Sequence, residues 1–179
     1  MDALTNLGLC RMSGNGVTKD PATGIRMIQT AAEAGCVNAE HALGYYYEKG
    51  IGVERNPEAA FRWNSSSAEH GDEDGKYAVA WCHFRGFGTS QDYQTAADMC
   101  EKLALAGNMN AINLLGVCYR DGNGRPKNPE KCAQLFERAA GLGFNLARWN
   151  LGFLHLNGGD ARAAAKWFQQ GADSGDADC

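Results

Sequence analysis

The chain has 179 residues, of which 44% are apolar and 21% are charged, and its formal net charge at pH 7 is −4. This length suits one folded domain, and the mixture of both charge signs argues against disorder. A net negative chain lacks the basic field that binding to nucleic acids or acidic membranes requires. No apolar run approaches the roughly 18 residues of a membrane span, and the first residues show no signal peptide. We therefore expect one folded domain that neither binds nucleic acid nor inserts into a membrane.

The 23 glycines of the chain recur on a fixed grid. One column has a spacing of 36 residues or a multiple of it, with alanine in the remaining position: Gly8, Gly44, Ala80, Gly116 and Gly152. Self-similarity at this period indicates stacked copies of one supersecondary unit. The copies cover residues 1–36, 37–72, 73–108, 109–144 and 145–176 of a single repeat domain, 1–176. Residues 177–179 begin a further repeat or form a tail.

Each unit is predicted to contain two helices. The first begins at an Asp or Asn whose side chain can accept hydrogen bonds from the open amides of the first turn. This column is formed by Asp2, Asn38, Asp74 and Asn110. The first helix ends about 11 residues later, where glycine adopts a left-handed cap without steric cost. That second column is formed by Gly14, Gly50, Gly86, Gly122 and Gly158.

The second helix begins at a capping side chain that proline follows in three units, a strong start signal. These pairs are Asp20-Pro21, Asn56-Pro57 and Asn128-Pro129, and Asp92 and Asp160 hold the same position in the other two units. Small residues at the helix crossings should let neighbouring axes approach closely. The large residues expected to fill the gap are Met27, Trp63, Met99, Leu135 and Trp167. No segment shows the alternation of a β-strand, so we predict an all-α fold.

The pattern Ala-x-x-x-Leu-Gly-x-x-Tyr, Gly-x-Gly-Val, Asp-Pro-x-x-Ala and Ala-Ala-x-x-Gly resembles the Sel-one-like repeat, a relative of the tetratricopeptide repeat. The second unit shows it most clearly, with Ala39, Leu43, Gly44, Tyr47, Gly50, Gly52, Val53, Pro57, Ala60, Trp63, Ala68 and Gly71. The resemblance covers essentially the whole chain. It implies a right-handed α-solenoid of five stacked helix-turn-helix repeats whose first helices line a concave face. It also implies a role in assembling protein complexes.

The concave-face positions of tetratricopeptide-like hairpins, carried onto this sequence, hold many aromatic residues. The predicted partner-binding set is His41, Tyr45, Glu48, Tyr77, Trp81, Phe84, Arg85, Asn113, Arg120, Trp149 and Phe153. Aromatic and Arg side chains dominate binding hot spots, so we predict a groove for a peptide, a helix or a partner domain. Two alternatives stay open. Some of these rings could pack between neighbouring first helices, and the Arg residues could form solvated ion pairs instead of clamping a carboxylate.

The seven cysteines lack the spacing of a metal site or a disulfide framework. They are Cys10, Cys36, Cys82, Cys100, Cys118, Cys132 and Cys179. No Cys-x-x-Cys pair exists and no His lies at zinc-finger spacing, so no metal is predicted. Cysteines that share a column lie on stacked helices about 8–10 Å apart, too far for a disulfide. An odd, irregular set favours buried thiols in a reducing intracellular compartment, the cytoplasm.

No nucleophile is placed by the sequence beside a convincing His and carboxylate, so no catalytic residue is predicted. The leading hypothesis is a non-enzymatic interaction scaffold that binds a protein or peptide partner within a larger complex and needs no cofactor. A purely architectural subunit is the first alternative. A hydrolase of the kind proposed for cysteine-rich members of the family is a weaker one.

Overall fold

The computed structural model describes residues 1–174, and this part of the chain forms ten α-helices and no β-strand. The helices are α1 (Asp2–Ser13), α2 (Pro21–Glu33), α3 (Val37–Lys49), α4 (Pro57–Glu69), α5 (Glu73–Arg85), α6 (Tyr93–Leu105), α7 (Met109–Asp121), α8 (Pro129–Gly141), α9 (Asn145–Asn157) and α10 (Ala161–Asp173). The further repeat predicted at 177–179 lies outside the described residues. None of these ten helices is long and apolar enough to cross a membrane.

The chain divides into two compact units, one of Met1–Asp92 with α1–α5 and one that begins at Tyr93 with α6–α10. Within the first unit each helix packs on the next, and α1 also contacts α3, so these two first helices are neighbours. Its interior includes Ile28, Ala39 and Leu43. Within the second unit the sequential packing continues from α6 to α10, around Ile112 and Phe136. Each hairpin buries its apolar faces only against its neighbours, which is typical of repeat proteins.

Glycine at the hairpin crossings lets the two helices of a repeat approach closely, as predicted. A Cβ at Gly44 would overlap the side-chain amide of Asn64, and one at Gly116 would lie 2.6 Å from the Phe136 ring. The prediction of which residues fill the gap is wrong by one position. The buried column contains Asn64 and Phe136, whereas Trp63 and Leu135 are only half-buried. Periodicity locates the apolar face, but the close approach at glycine decides which side chain lies at its centre.

The predicted starts of the second helices are confirmed at four repeats. A side-chain oxygen accepts a hydrogen bond from the amide three residues later at 2.9–3.0 Å in Asp20, Asn56, Asn128 and Asp160. Proline follows the cap in three of these helices, where its missing N–H removes no helical hydrogen bond. The sequence predicted these helix starts correctly because the capping side chain and the proline both act within one helical turn.

The predicted starts of the first helices are wrong. The caps lie two residues earlier in three repeats, at Cys36, Asp72 and Asn108, and one residue earlier in the first repeat, at Met1 instead of Asp2. The Asp72 carboxylate accepts from the Gly75 amide at 2.8 Å, and Asn108 accepts from the Ala111 amide at 2.9 Å. The physical reason is the preceding glycine, which turns the chain with a left-handed backbone (φ +99° at Gly71) and makes the very next residue the cap.

The first helices of four repeats end at left-handed glycines with φ between 63° and 85°, as predicted. The fifth differs, because Gly158 has φ −80° and the left-handed residue is Gly159. A side chain from the following loop returns to the helix end in two repeats. Arg55 Nε donates to the Glu48 carbonyl at 3.1 Å, and the Gln91 amide donates to the Phe84 carbonyl at 3.0 Å. The first of these contacts positions a loop cation beside α3.

Candidate partner-binding surface

Three of the predicted residues form a stack on α5. The Trp81 and Phe84 rings lie 5.8 Å apart, 11° from parallel, and the Arg85 guanidinium carbon lies 5.4 Å from the Trp81 centroid. Residues three and four positions apart lie on one face of a helix, which explains the alignment. Both rings are half-buried and Arg85 is exposed. The stack therefore presents aromatic surface and a positive charge on the same side of the helix.

The neighbouring first helix, α3, contributes an exposed ring. Tyr45 is 48% exposed and packs edge-on against Tyr46, with ring centroids 5.7 Å apart. The Lys49 ammonium lies 5.9 Å from the centroid of the Tyr45 ring and 2.7 Å from a carboxylate oxygen of Glu48. Tyr45 and Glu48 thus stand beside a cation that offsets the charge of the carboxylate.

The ends of α3 and α5 and their following loops form a small cleft of about 60 Å³. Its walls are Glu48, Arg55, Trp81, Arg85 and Phe87. Three of these residues belong to the predicted set. The sequence reasoning missed Arg55 and Phe87, because both lie in loops. The Arg55 guanidinium carbon lies 5.0 Å from the Phe87 centroid, which repeats the cation-on-ring arrangement of α5.

His41 makes a separate polar contact. Its Nδ1 lies 3.1 Å from Oδ2 of Asp72, an oxygen that also accepts from the Ser67 hydroxyl and the Gly75 amide. Ligand atoms of His41, Asp72 and Asp74 all lie within 4.8 Å of one another, a donor set that a metal could use. The hydrogen bonds to Asp72 account for this arrangement without an ion.

Tyr77, also predicted, is half-buried and is not free of interactions. It lies on α5 one turn before Trp81.

Two predicted residues of α7 are occupied by contacts within the second unit. The Arg120 fork binds both oxygens of Asp121 at 2.8 Å, which raises the pKa of Arg120 and lowers the pKa of Asp121. This is the ion-pair alternative considered for the Arg residues. Asn113 is only 7% exposed and accepts a hydrogen bond from Asn150 at 2.8 Å. Its predicted exposure to a partner is wrong, because α7 is enclosed by its neighbours along residues 111–116.

The predicted aromatic residues of α9 form a cluster with α10. The Trp149 and Phe153 rings lie 5.7 Å apart, and both contact Phe168, at 5.4 Å and 5.2 Å respectively. Trp149 is half-buried, and its buried indole N–H has no hydrogen-bond partner within residues 1–174. Trp149 is therefore packed, but against Phe168 on the second helix of its own repeat rather than between neighbouring first helices, whereas Phe153 remains largely exposed.

The buried cysteines are poor nucleophiles in this fold. Burial raises the pKa of Cys82, Cys118 and Cys132 to about 11 and that of Cys100 to about 12. A thiol rather than a thiolate is present at neutral pH, and only the thiolate attacks or binds metal. The six cysteines of the described range are all free thiols.

The repeated helical hairpins define an all-α solenoid. The family model of the Sel1 repeat matches residues 2–36, 37–72, 74–108, 110–144 and 145–176. The chain belongs to the Sel1 repeat family. Proteins of this family generally mediate protein–protein interactions and are generally non-catalytic. A search among proteins of curated function finds no significant match.

Solved structures support the same assignment. A Sel1 repeat protein from Oxalobacter formigenes is 28% identical with a TM-score of 0.87, and the match covers 97% of this chain and 71% of that one. The protein c5321, a protective antigen of uropathogenic Escherichia coli with an SLR fold, is also 28% identical with a TM-score of 0.78. That match covers 99% of this chain but only 39% of the antigen. The immunity protein Pa5087 from Pseudomonas aeruginosa, 21% identical with a TM-score of 0.66 and coverage of 97% and 66%, shares the fold.

Proposed function

We propose that the chain is a non-enzymatic scaffold that binds a peptide, a helix or a partner domain through its first helices, as part of a larger complex. The observation that carries the proposal is the stack of Phe84, Trp81 and Arg85 on α5, together with the exposed Tyr45 on α3. A tryptophan flanked by an arginine and a second ring is the composition of an interface hot spot. The free thiols suit a reducing intracellular compartment, where we place the protein.

The proposed surface is narrower than the predicted set. In the first unit it comprises Tyr45, Glu48, Trp81, Phe84 and Arg85, and we retain His41 and Tyr77 at its margin. In the second unit the proposed surface comprises Phe153, because Asn113 is buried and Arg120 is paired with Asp121. We propose that the two compact units belong to one repeat domain and that each carries its own part of this surface.

Site-specific photo-crosslinking tests the proposal. Benzoylphenylalanine replaces Tyr45 on α3 in one protein and the exposed Arg62 on α4 in a matched control, and both are irradiated in the source cells. We expect one defined protein crosslinked through position 45 and none through position 62. The additional change Trp81→Ala should abolish the crosslink at position 45 while the circular dichroism of the helices is retained. Equal crosslinking at both positions would contradict a first-helix surface.

A second apolar surface in the second unit favours the architectural alternative. Leu105 is 85% exposed, and Leu142 and Leu146 are also largely exposed. The Arg138 guanidinium donates to the Ala104 carbonyl at 2.6 Å, so the ends of α6 and α8 are adjacent. A subunit covered on more than one face would crosslink through position 142 as strongly as through position 45. The scaffold proposal expects a crosslink through position 45 and none through position 142.

A further inference from the structure

The two arginines of the cleft lack the carboxylate partners that Arg120 and Arg125 have. Arg120 binds the carboxylate of Asp121, and Arg125 binds two carboxylates of α6 at 2.6 Å and 2.9 Å. No residue between 1 and 174 forms an ion pair with Arg55 or Arg85. Both guanidinium groups therefore retain hydrogen-bond donors that no acid of the described chain satisfies.

Each of these guanidinium groups lies on an aromatic ring, Arg85 on Trp81 and Arg55 on Phe87. Stacking occupies the flat face of a guanidinium and leaves its N–H edge available for hydrogen bonds. Arg55 uses one of its donors, Nε, on the Glu48 carbonyl. Two arginines that each lie on a ring thus have N–H groups available for hydrogen bonds at one cleft.

The charge balance of the cleft is positive although the chain as a whole is negative. Two arginines and one carboxylate line it, and the carboxylate, Glu48, is paired with Lys49 at 2.7 Å. The net charge of the whole chain is −4. The last-turn position of Arg85 suits the negative end of the α5 dipole. The helix dipole explains neither the stacking of Arg85 on Trp81 nor the presence of Arg55 in the loop after α3.

The size of the cleft fits one small anionic group. One water needs roughly 10–15 Å³, so a cleft of about 60 Å³ admits a carboxylate. A guanidinium fork binds a carboxylate through two parallel hydrogen bonds. Arginine clusters recognise acidic side chains, whereas terminal carboxylates are captured by backbone amides. The walls of this cleft are side chains, which favours an acidic side chain as the ligand.

We infer that the Arg55–Arg85 cleft binds an Asp or Glu side chain of the partner protein, with the apolar neighbours of that acid lying on the rings of Tyr45 and Phe84. This inference rests on the proposed function and names the chemistry of its partner: an acidic segment flanked by aromatic or leucine residues. The Arg pair provides the charge complement, and the rings provide the apolar area.

Peptide binding to the whole protein tests the inference. The probe is acetyl-Phe-Glu-Leu-Glu-Phe-amide, compared with the same peptide in which Gln replaces Glu, and binding is followed by Arg Nε–H NMR signals and by calorimetry. We expect the Glu peptide to bind about tenfold more tightly or better, and to shift the signals of Arg55 and Arg85. Arg85→Gln and Arg55→Gln should each bring the two affinities to within about twofold.

Arg62→Gln is the matched control, because Arg62 is exposed and lies 5.6 Å from the Trp63 centroid on α4. It should leave the preference for Glu unchanged. Arg85→Glu should reverse the preference, so that a peptide with Lys in place of Glu binds more tightly than the original. Circular dichroism of every variant verifies that these surface changes leave the helices intact.

Equal affinity of the wild-type protein for the Glu and Gln peptides at millimolar concentration would overturn the inference. So would binding that requires a free peptide C-terminus, which a third peptide with that terminus unblocked and Gln inside would reveal. A partner crosslinked through position 45 that binds Arg55→Gln and Arg85→Gln at full affinity would overturn the inference and leave the proposed function standing. Glu-selective binding without any crosslink at position 45 would instead contradict the proposed function.

Discussion

Nδ1 of His70 lies 2.8 Å from Oε2 of Glu40, a residue that is only 2% exposed. The other oxygen of this carboxylate accepts a hydrogen bond from Ser66 at 2.8 Å. The hydrogen bond and the charge of Glu40 raise the pKa of His70 above 6.5, and the charge of Glu69 acts in the same direction. When protonated, the His70 imidazolium at the end of α4 therefore compensates a carboxylate buried within the first unit.

This pair predicts a pH-dependent contribution to stability. A His whose pKa is raised by folding stabilises the native state fully below the unfolded pKa of about 6.5, and this contribution is lost as pH rises through the folded value. We expect His70→Gln to lower the free energy of unfolding more at about pH 5.5 than at about pH 8.5. Urea unfolding at both pH values measures it. In a Glu40→Gln background the pH-dependent part should disappear, and a loss independent of pH would refute the assignment.

The position of the α5 cap predicts different effects for two aspartates that lie two residues apart. Asp72→Ala removes the acceptor of the Gly75 amide and of the Ser67 hydroxyl, so it should cost about 1–2 kcal/mol of unfolding free energy. Asp74→Ala changes an exposed residue in the first turn and should cost less than about 0.5 kcal/mol. Asp72→Asn, which keeps an acceptor, should recover most of the loss. Equal destabilisation by the two alanine changes would contradict the observed cap.

Two loop glycines on the same column separate backbone strain from steric overlap. Gly16 and Gly88 both have positive φ, +73° and +69°, but a Cβ at Gly16 meets nothing within 4 Å. A Cβ at Gly88 would overlap the Pro57 carbonyl. Gly16→Ala should therefore cost about 1–2 kcal/mol, the strain of a left-handed alanine. Gly88→Ala should cost at least about 1 kcal/mol more because the backbone must move. Thermal and urea unfolding measure the loss of stability in both variants. A larger loss for Gly16→Ala than for Gly88→Ala would contradict this prediction.

The raised thiol pKa values predict protection from alkylation. Cys82, Cys100, Cys118 and Cys132 should resist iodoacetamide at about pH 8 in the native protein, because burial keeps them protonated and inaccessible. Peptide mass spectrometry after a timed reaction measures the modified fraction at each position. The same reaction in urea should modify all four cysteines rapidly. Rapid modification of any of them without denaturant would show that its site opens in the native state.

The repeat grid predicted the helical hairpins, and local chemistry predicted the starts of the second helices. Asp20-Pro21 and Asn56-Pro57 combine a cap with a proline, so the signal does not depend on the rest of the fold. The starts of the first helices depended on a choice between Asp72 and Asp74, both of which are good caps. The choice is made by the left-handed turn at Gly71, a conformation that neither aspartate specifies.

The candidate surface was predictable only in part. Trp81, Phe84 and Arg85 share a helix face, so their alignment followed from spacing. Arg55 and Phe87 joined them because the loops after α3 and α5 close over the helix ends, and loop placement follows from hairpin packing rather than from periodicity. The burial of Asn113 was missed because a polar residue gave no indication that a neighbouring asparagine would satisfy it.

The burial of Asn64 against Gly44 has a consequence for covalent modification. Asn64-Ser65-Ser66 is an acceptor sequence for N-linked oligosaccharide, yet the acceptor side chain is only 3% exposed. A sugar attached there before folding would occupy the space that α3 needs, and the hairpin of α3 and α4 could not close. Production through a glycosylating secretory route would thus disable this repeat at one side chain, and hosts that lack the modification avoid the damage.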